Sequence, residues 1–284
     1  MIGKICLVTG ATSGIGQVTA LELARMGATV VLMARSRERG EATQAAIRAQ
    51  TGNDAVDLIL VDLADLAAVR SAAEAFQARY DRLDVLVNNA GLYVDKRTLS
   101  ADGLELTFAV NHLAPFLLTH LLLDSLRAAA PARVVTVSSG AHMAGRGRFE
   151  DVRAERGYNG FATYAESKLA NVLFTYELAR RLDNTGITAN CLHPGAVRTG
   201  FASETGGIFG SLFSLARPFM LSPEQGAETS IYLASSAEVE GISGKYFVKR
   251  RPQTSSMVSY DRAVQRNLWE VSEQLCGIVE PVAV

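Results

Sequence analysis

Long hydrophobic runs are scarce in this chain. The longest, Leu113–Leu123, contains Pro115 and His120 and is too short to cross a bilayer, so no integral membrane segment is expected. Cysteine is nearly absent. Cys6, Cys191 and Cys276 lie far apart, without metal-type spacing or the pattern of a disulfide framework. An excess of either charge is missing too. Lys and Arg number 28 against 29 Asp and Glu, a net charge of −1. That leaves no basic field of the kind nucleic-acid binding needs. There are no internal repeats, low-complexity tracts or interdomain linker. The opening MIGKICLVTGATSGIG runs straight into a strand-like stretch and shows no secretory leader. With the buried-type thiols, this predicts a cytoplasmic location.

What is present is an ordinary globular composition. Of 284 residues, 48% are hydrophobic and 20% charged, ample for a large core. Lys4–Thr9, Thr29–Met33, Val56–Val61, Leu83–Val87, Arg133–Val137, Ile187–Leu192 and Lys245–Val248 read as strands. They are nearly continuous runs of Val, Ile and Leu, the pattern of parallel strands covered on both faces. Helical stretches alternate with them, including Leu104–Leu126 and a C-terminal helix at about 256–276. The expectation is an α/β fold: one Rossmann-type, doubly wound parallel sheet of about seven strands with helices on both faces, spanning residues 1–284. Such sheets bind ligands where their strands stop.

The first strand stops in Thr9-Gly10-Ala11-Thr12-Ser13-Gly14-Ile15-Gly16. Glycine permits unusual backbone angles and lets a phosphate approach the main chain. The helix that follows adds free N–H groups and partial positive charge. A ligand-free glycine turn is the plain alternative. The spacing is GxxxGxG, and it resembles the TGxxxGIG fingerprint of the short-chain dehydrogenase/reductase family.

At the second strand's end, where many NAD-binding folds carry an acid for the ribose, this chain has Ala34-Arg35-Ser36-Arg37. A guanidinium suits a 2′-phosphate. The expected cofactor is therefore NADP(H), with Arg35 the preferred contact and NAD(H) the alternative. Both arginines could equally be the solvated start of a helix. The third strand ends in Asp62-Leu63, which the resemblance places beside the adenine; capping the next helix is the competing role, shared with Asp65. The fourth ends in Asn88-Asn89-Ala90-Gly91, similar to the family's NNAG motif, with Asn89, Ala90 and Gly91 bordering the cofactor. Asn111 is a locally unfavourable polar residue inside an apolar helical stretch. By resemblance it helps hold a water in a proton relay. The fifth strand ends in Ser138-Ser139, and Ser139 matches the catalytic serine. His142 beside it is given no role.

Tyr164 and Lys168 lie at i and i+4, so a helix puts them on one face about 5.4 Å apart. A free phenol has a pKa of about 10. A nearby ammonium favours the phenolate and brings it toward neutral pH. YxxxK alone is common by chance. Following the glycine loop, the NNAG turn, Asn111 and a strand-ending serine in this order, it identifies the chain as a member of the family.

The resemblance implies an NADP(H)-dependent oxidoreductase without metal. Tyr164 would exchange a proton with a carbonyl or alcohol oxygen, Ser139 would hydrogen-bond that oxygen, Lys168 would lower the Tyr164 pKa and bind the nicotinamide ribose, and Asn111 would complete the relay. Pro194 and Gly195 would lie beside the nicotinamide, with Thr199 on its carboxamide. Residues 200–222, rich in Phe, Leu and Ile, would form the mobile lid of a hydrophobic substrate; a core helix or oligomer contact is the rival reading. SKLANVLFTYELARRL, SGKYF, NLWEVSEQLCG and the 25-residue spacing from Ser139 to Tyr164 resemble the retinol-dehydrogenase-like branch, which includes the WW-domain oxidoreductases. The expected substrate is a small hydrophobic aldehyde, ketone or retinoid-like compound, as for a carbonyl reductase. A homodimer through the helices of Asn111 and Tyr164 is left open. A non-catalytic NADP(H)-binding redox sensor or an interaction protein is the alternative.

Overall fold

Side chains alternate across the strands, and the alternation sorts them into two cores. A computed structural model describes residues 1–155, 157–198 and 220–278. Its eight strands are β1 (Ile5–Thr9), β2 (Thr29–Ala34), β3 (Val56–Leu60), β4 (Val85–Asn88), β5 (Ala132–Val137), β6 (Ile187–His193), β7 (Lys245–Val248) and β8 (Arg251–Gln253). They form one sheet in the order β3-β2-β1-β4-β5-β6-β7-β8. Seven strands are parallel and β8 is antiparallel to β7.

Leu7, Val31, Met33, Leu86 and Val134 face one way, toward α3 (Leu66–Gln77), α5 (Ala114–Leu121), α7 (Gly160–Arg181) and α9 (Arg262–Leu275). Cys6, Val8, Leu32, Val87, Val135 and Leu192 face the other, toward α1 (Gly14–Arg25), α2 (Arg37–Thr51) and α8 (Pro223–Ser235). Period-two alternation between two apolar faces is what buries both sides of a parallel sheet. The sheet is thus a single α/β Rossmann-type layer covered on both faces.

The expected parallel sheet of about seven strands is present, and the described residues add one short antiparallel strand: Arg251-Pro252-Gln253 lacks any apolar run and is a strand only through its pairing with β7. The connecting Lys249 and Arg250 adopt φ +51° and +63°, which turns the chain back tightly. The stretch Leu104–Leu126 is not one helix. It divides into α4 (Leu106–Phe108), a π-turn (Ala109–Leu113), α5 and α6 (Leu123–Ala128). The C-terminal helix begins at Arg262, after a 3₁₀ turn at Met257–Tyr260, where the Asp261 side chain accepts from Ala263 N at 2.8 Å.

The helix α9 docks on the domain itself. Trp269 meets Phe116 edge-on at 4.9 Å and stacks on Phe174 at 6.0 Å, and the Arg181 guanidinium lies 4.2 Å from the indole. Both sheet margins are blunted. At β3, Gln44 and Arg48 of α2 donate to Val56 O at 2.6 and 2.7 Å; at the far margin, β8 is fully exposed and carries Pro252.

Asp65 caps α3, accepting from Ala67 N at 2.8 Å and Ala68 N at 3.1 Å. Asp65→Ala is expected to lower stability by about 1 kcal/mol, read as a lower midpoint in urea with an unchanged slope. No helix among the described residues is long and apolar enough to cross a membrane.

Candidate active site

The strand order reverses between β1 and β4, and the carboxyl ends of these two strands are cross-linked. Thr9 Oγ1 accepts from Asn89 N and Ala90 N, both at 3.0 Å. Asn89 Nδ2 donates to Thr9 O at 2.8 Å and Gly10 O at 3.3 Å. The buried Asn88 Nδ2 reaches Thr119 Oγ1 at 3.0 Å. The NNAG turn therefore holds the glycine loop in place. Gly10 needs its φ of +63°, and a Cβ on Gly16 would collide with Asn89 Nδ2 and the Gly10 carbonyl. Ser13 precedes α1 but makes no side-chain cap, and the first turn holds no acid. The N–H groups of Gly14, Ile15 and Gly16 stand at an uncapped helix start beside half-buried Thr12, the local setting for an anion.

The neighbouring strand ends present two exposed side chains. Arg35, after β2, has no ion-pair partner among the described residues, whereas Arg37 is paired with Glu41 at 3.3 Å. Asp62, after β3, is exposed and accepts from Ala64 N at 3.0 Å; it does not cap α3. Leu63 packs its side chain against the core, leaving only its main chain for the cleft.

Across the switch point, β5 and α7 bring Ser139, Tyr164 and Lys168 together. Asn159 caps α7, accepting from Ala162 N at 2.9 Å, which sets where Tyr164 falls on the helix. Ser138 Oγ donates to Lys168 O at 2.7 Å and ties strand to helix. The Lys168 ammonium donates to Val137 O at 3.2 Å and lies 5.6 Å from the Tyr164 ring centroid. Tyr93 meets the same ring edge-on at 5.9 Å. Asn111 lies in the π-turn. Its Oδ1 accepts from Leu92 N at 2.7 Å, and its Nδ2 donates to Leu92 O at 2.9 Å and Ser167 Oγ at 3.0 Å. The side chain thus joins the loop after β4 to α7. A Cβ on Gly91 would sit 3.2 Å from Lys168 Nζ and 3.3 Å from Asn111 Oδ1, so the NNAG glycine faces the same group.

Burial sets the electrostatics. The walls around the phenol push Tyr164 up to about 12, although an edge of the residue stays accessible. The Ser139 hydroxyl bonds it and pulls the other way. Lys168 is brought down to about 8, because its ammonium has left water. The Lys168 ammonium is held by the Val137 carbonyl, and the Ser139 hydroxyl is the group whose hydrogen bond favours the phenolate.

The pattern of strand ends, glycine loop and Ser-Tyr-Lys group has matches among known proteins. The family model described as short chain dehydrogenase matches residues 4–206. The chain belongs to the short-chain dehydrogenase family. It is 44% identical to retinol dehydrogenase 14 of Mus musculus, over 99% of this chain and 88% of that one. It is 45% identical to retinol dehydrogenase 13 of Homo sapiens, over 98% and 86%. This short-chain dehydrogenase thus lies in a retinol-dehydrogenase-like branch of oxidoreductases. An uncharacterised protein from Mycobacterium paratuberculosis superposes with TM-score 0.78 and 33% identity over 97% of this chain and 94% of that one. A Pseudomonas aeruginosa protein, solved as an NADP active-site complex, gives 0.70 and 28% over 87% and 94%.

The remaining predicted positions of this dehydrogenase follow β6. Pro194 and Gly195 leave the strand at the carboxyl edge, with Gly195 at φ +93°. Thr199 lies outside the described residues, as does most of the predicted lid at 200–222. Two contacts were not foreseen. Tyr93 walls Tyr164, and His193 Nδ1 accepts from Gly140 N at 3.0 Å. A histidine ending a buried strand just before Pro-Gly was the available signal for the second. Among the described residues, no three His, Cys, Asp or Glu side chains are grouped to hold a metal.

Proposed function

We propose that this chain is an NADP(H)-dependent oxidoreductase acting between a carbonyl and an alcohol, on a hydrophobic aldehyde, ketone or retinoid-like substrate. The observation that carries the reading is the grouping of Ser139, Tyr164 and Lys168, with the Lys168 ammonium 5.6 Å from the Tyr164 ring centroid, next to the uncapped glycine cradle. When bound, the nicotinamide supplies or accepts the hydride. The chain supplies everything else. Gly10, Gly14 and Gly16 with the N–H groups of α1 would receive the pyrophosphate, and Arg35 the 2′-phosphate. Asp62 with the main chain of Leu63 would flank the adenine, and Ala90, Gly91, Pro194, Gly195 and Thr199 the nicotinamide half, with Asn89 holding the loop.

In the reductive direction Ser139 donates to the carbonyl oxygen and offsets its developing charge. Tyr164 then gives its proton to that oxygen. Lys168 supports the tyrosine and the ribose, and Asn111 fixes the helix on which the relay depends.

Loss of NADPH or NADH absorbance with a panel of aldehydes and ketones, including all-trans-retinal, tests the reading. Turnover with NADPH is the expected result. Tight NADPH binding with no turnover on any compound would favour a sensor instead. Arg35→Ala is expected to weaken NADPH binding about tenfold and to leave NADH nearly unaffected. Equal affinity for NADPH in both proteins would remove Arg35 from the site.

A further inference from the structure

The turn that carries Ser139 is gripped by two histidines. His142 is buried, 1% exposed. Its Nδ1 lies 2.7 Å from Ser139 O, and its Nε2 receives Ser256 N at 3.1 Å. A carbonyl only accepts and a main-chain N–H only donates, so Nδ1 carries the hydrogen and Nε2 is bare. Its ring packs on Tyr246 at 4.8 Å. His193, from β6, accepts from the next residue of the turn: Gly140 N reaches its Nδ1 at 3.0 Å. The two rings thus hold the single peptide group between Ser139 and Gly140 at both ends, His142 donating to its carbonyl and His193 accepting from its N–H.

The anchor behind His142 is itself fixed. Ser256 lies in a segment that buries Ser255, Ser256 and Ser259. Tyr176 OH meets Ser255 Oγ at 2.7 Å, Ser255 Oγ meets Ser259 Oγ at 2.6 Å, and Ser259 Oγ donates to Ser256 O at 2.6 Å. Tyr176 belongs to α7, three turns beyond Tyr164. The serine's turn is therefore referenced to the helix that carries the tyrosine, through a path separate from the Ser139–Tyr164 contact.

We propose that His142 and His193 are positioning residues that orient Ser139 toward the reacting oxygen, with the segment around Ser256 as the outer support of His142. This rests on the oxidoreductase reading. A hydrogen-bond donor displaced by a fraction of an ångström loses most of its effect on a developing charge. Neither ring need touch substrate.

The test is a kinetic cycle on the full chain with NADPH, using all-trans-retinal and nonanal as carbonyl probes. His142→Ala is expected to lower kcat about ten- to hundredfold with little change in the KM for NADPH. His142→Asn keeps a donor near the Nδ1 position and is expected to recover most of kcat; His193→Asn keeps an acceptor for Gly140 N and is expected to do the same relative to His193→Ala. In a Ser139→Ala background, His142→Ala is expected to cost less than about twofold further, because the group it positions is gone. Thermal melts and NADPH titrations accompany each variant to establish that it is folded. Equal losses from His142→Ala in both backgrounds, or no recovery by His142→Asn in a folded protein, would overturn the proposal while leaving the oxidoreductase reading intact. Turnover independent of Ser139 would also overturn the proposal, whereas absence of turnover in the unsubstituted protein would count against the oxidoreductase reading itself.

Discussion

Tyr164→Phe is expected to cut turnover at least about a thousandfold while the protein still binds NADPH. The substitution removes one oxygen. The ring remains, and so does its edge-on contact with Tyr93 at 5.9 Å, so the cleft wall survives. What disappears is the acid. Ser139 can still donate a hydrogen bond to the substrate oxygen, but a serine hydroxyl is far too weak an acid to complete proton transfer at neutral pH. Steady-state assays of NADPH consumption, with a fluorescence titration of the same preparation, separate chemistry from binding. Near-full activity in the phenylalanine variant would end the assignment of Tyr164 as general acid or base.

Lys168→Met should give two effects of opposite value: turnover reduced about a hundredfold or more, and a more stable protein. Lys168 is 3% exposed, and its folded pKa of about 8 lies below the ordinary 10.5. Holding that charge out of water costs on the order of 3 kcal/mol at pH 7. Val137 O, its acceptor, also receives Asn171 Nδ2 at 3.3 Å, so methionine leaves no orphaned carbonyl. The pH dependence follows. Below pH 8 the lysine is protonated in both states and the penalty is complete. Between about 8 and 10.5 the unfolded chain binds more protons than the folded one, so wild-type stability gains with rising pH, and the methionine variant lacks that gain. Melting both proteins at pH 7 and 9.5 checks this: the gap should be large at pH 7 and smaller at 9.5. A variant less stable at both would make Lys168 a packing residue.

The strands with continuous Val, Ile and Leu, such as Thr29–Ala34 and Ile187–His193, were legible because burial on two faces demands that composition. Arg251–Gln253 was not, since its strand character comes from its partner and not from its own residues. The break at Ala109–Leu113 was equally hidden. Apolar periodicity runs through it, and the reason for the π-turn is a tertiary one: Asn111 reaches across to Leu92 and Ser167. Tyr164 and Lys168 could be paired from spacing alone, but their acidities could not. Burial and Ser139 decide these, and both depend on what the fold packs around the helix. Asp65 in place of Asp62 as the α3 cap was a two-way choice in sequence that backbone geometry resolves.

The two blunted margins of the sheet bear on how copies of this chain meet. At β3 a carbonyl is already occupied by Gln44 and Arg48, and at β8 a proline withholds a donor between exposed polar neighbours. A visiting strand finds little backbone to zip onto at either end. Edge-to-edge addition of strands, the route to open-ended fibres, is disfavoured at both of these margins.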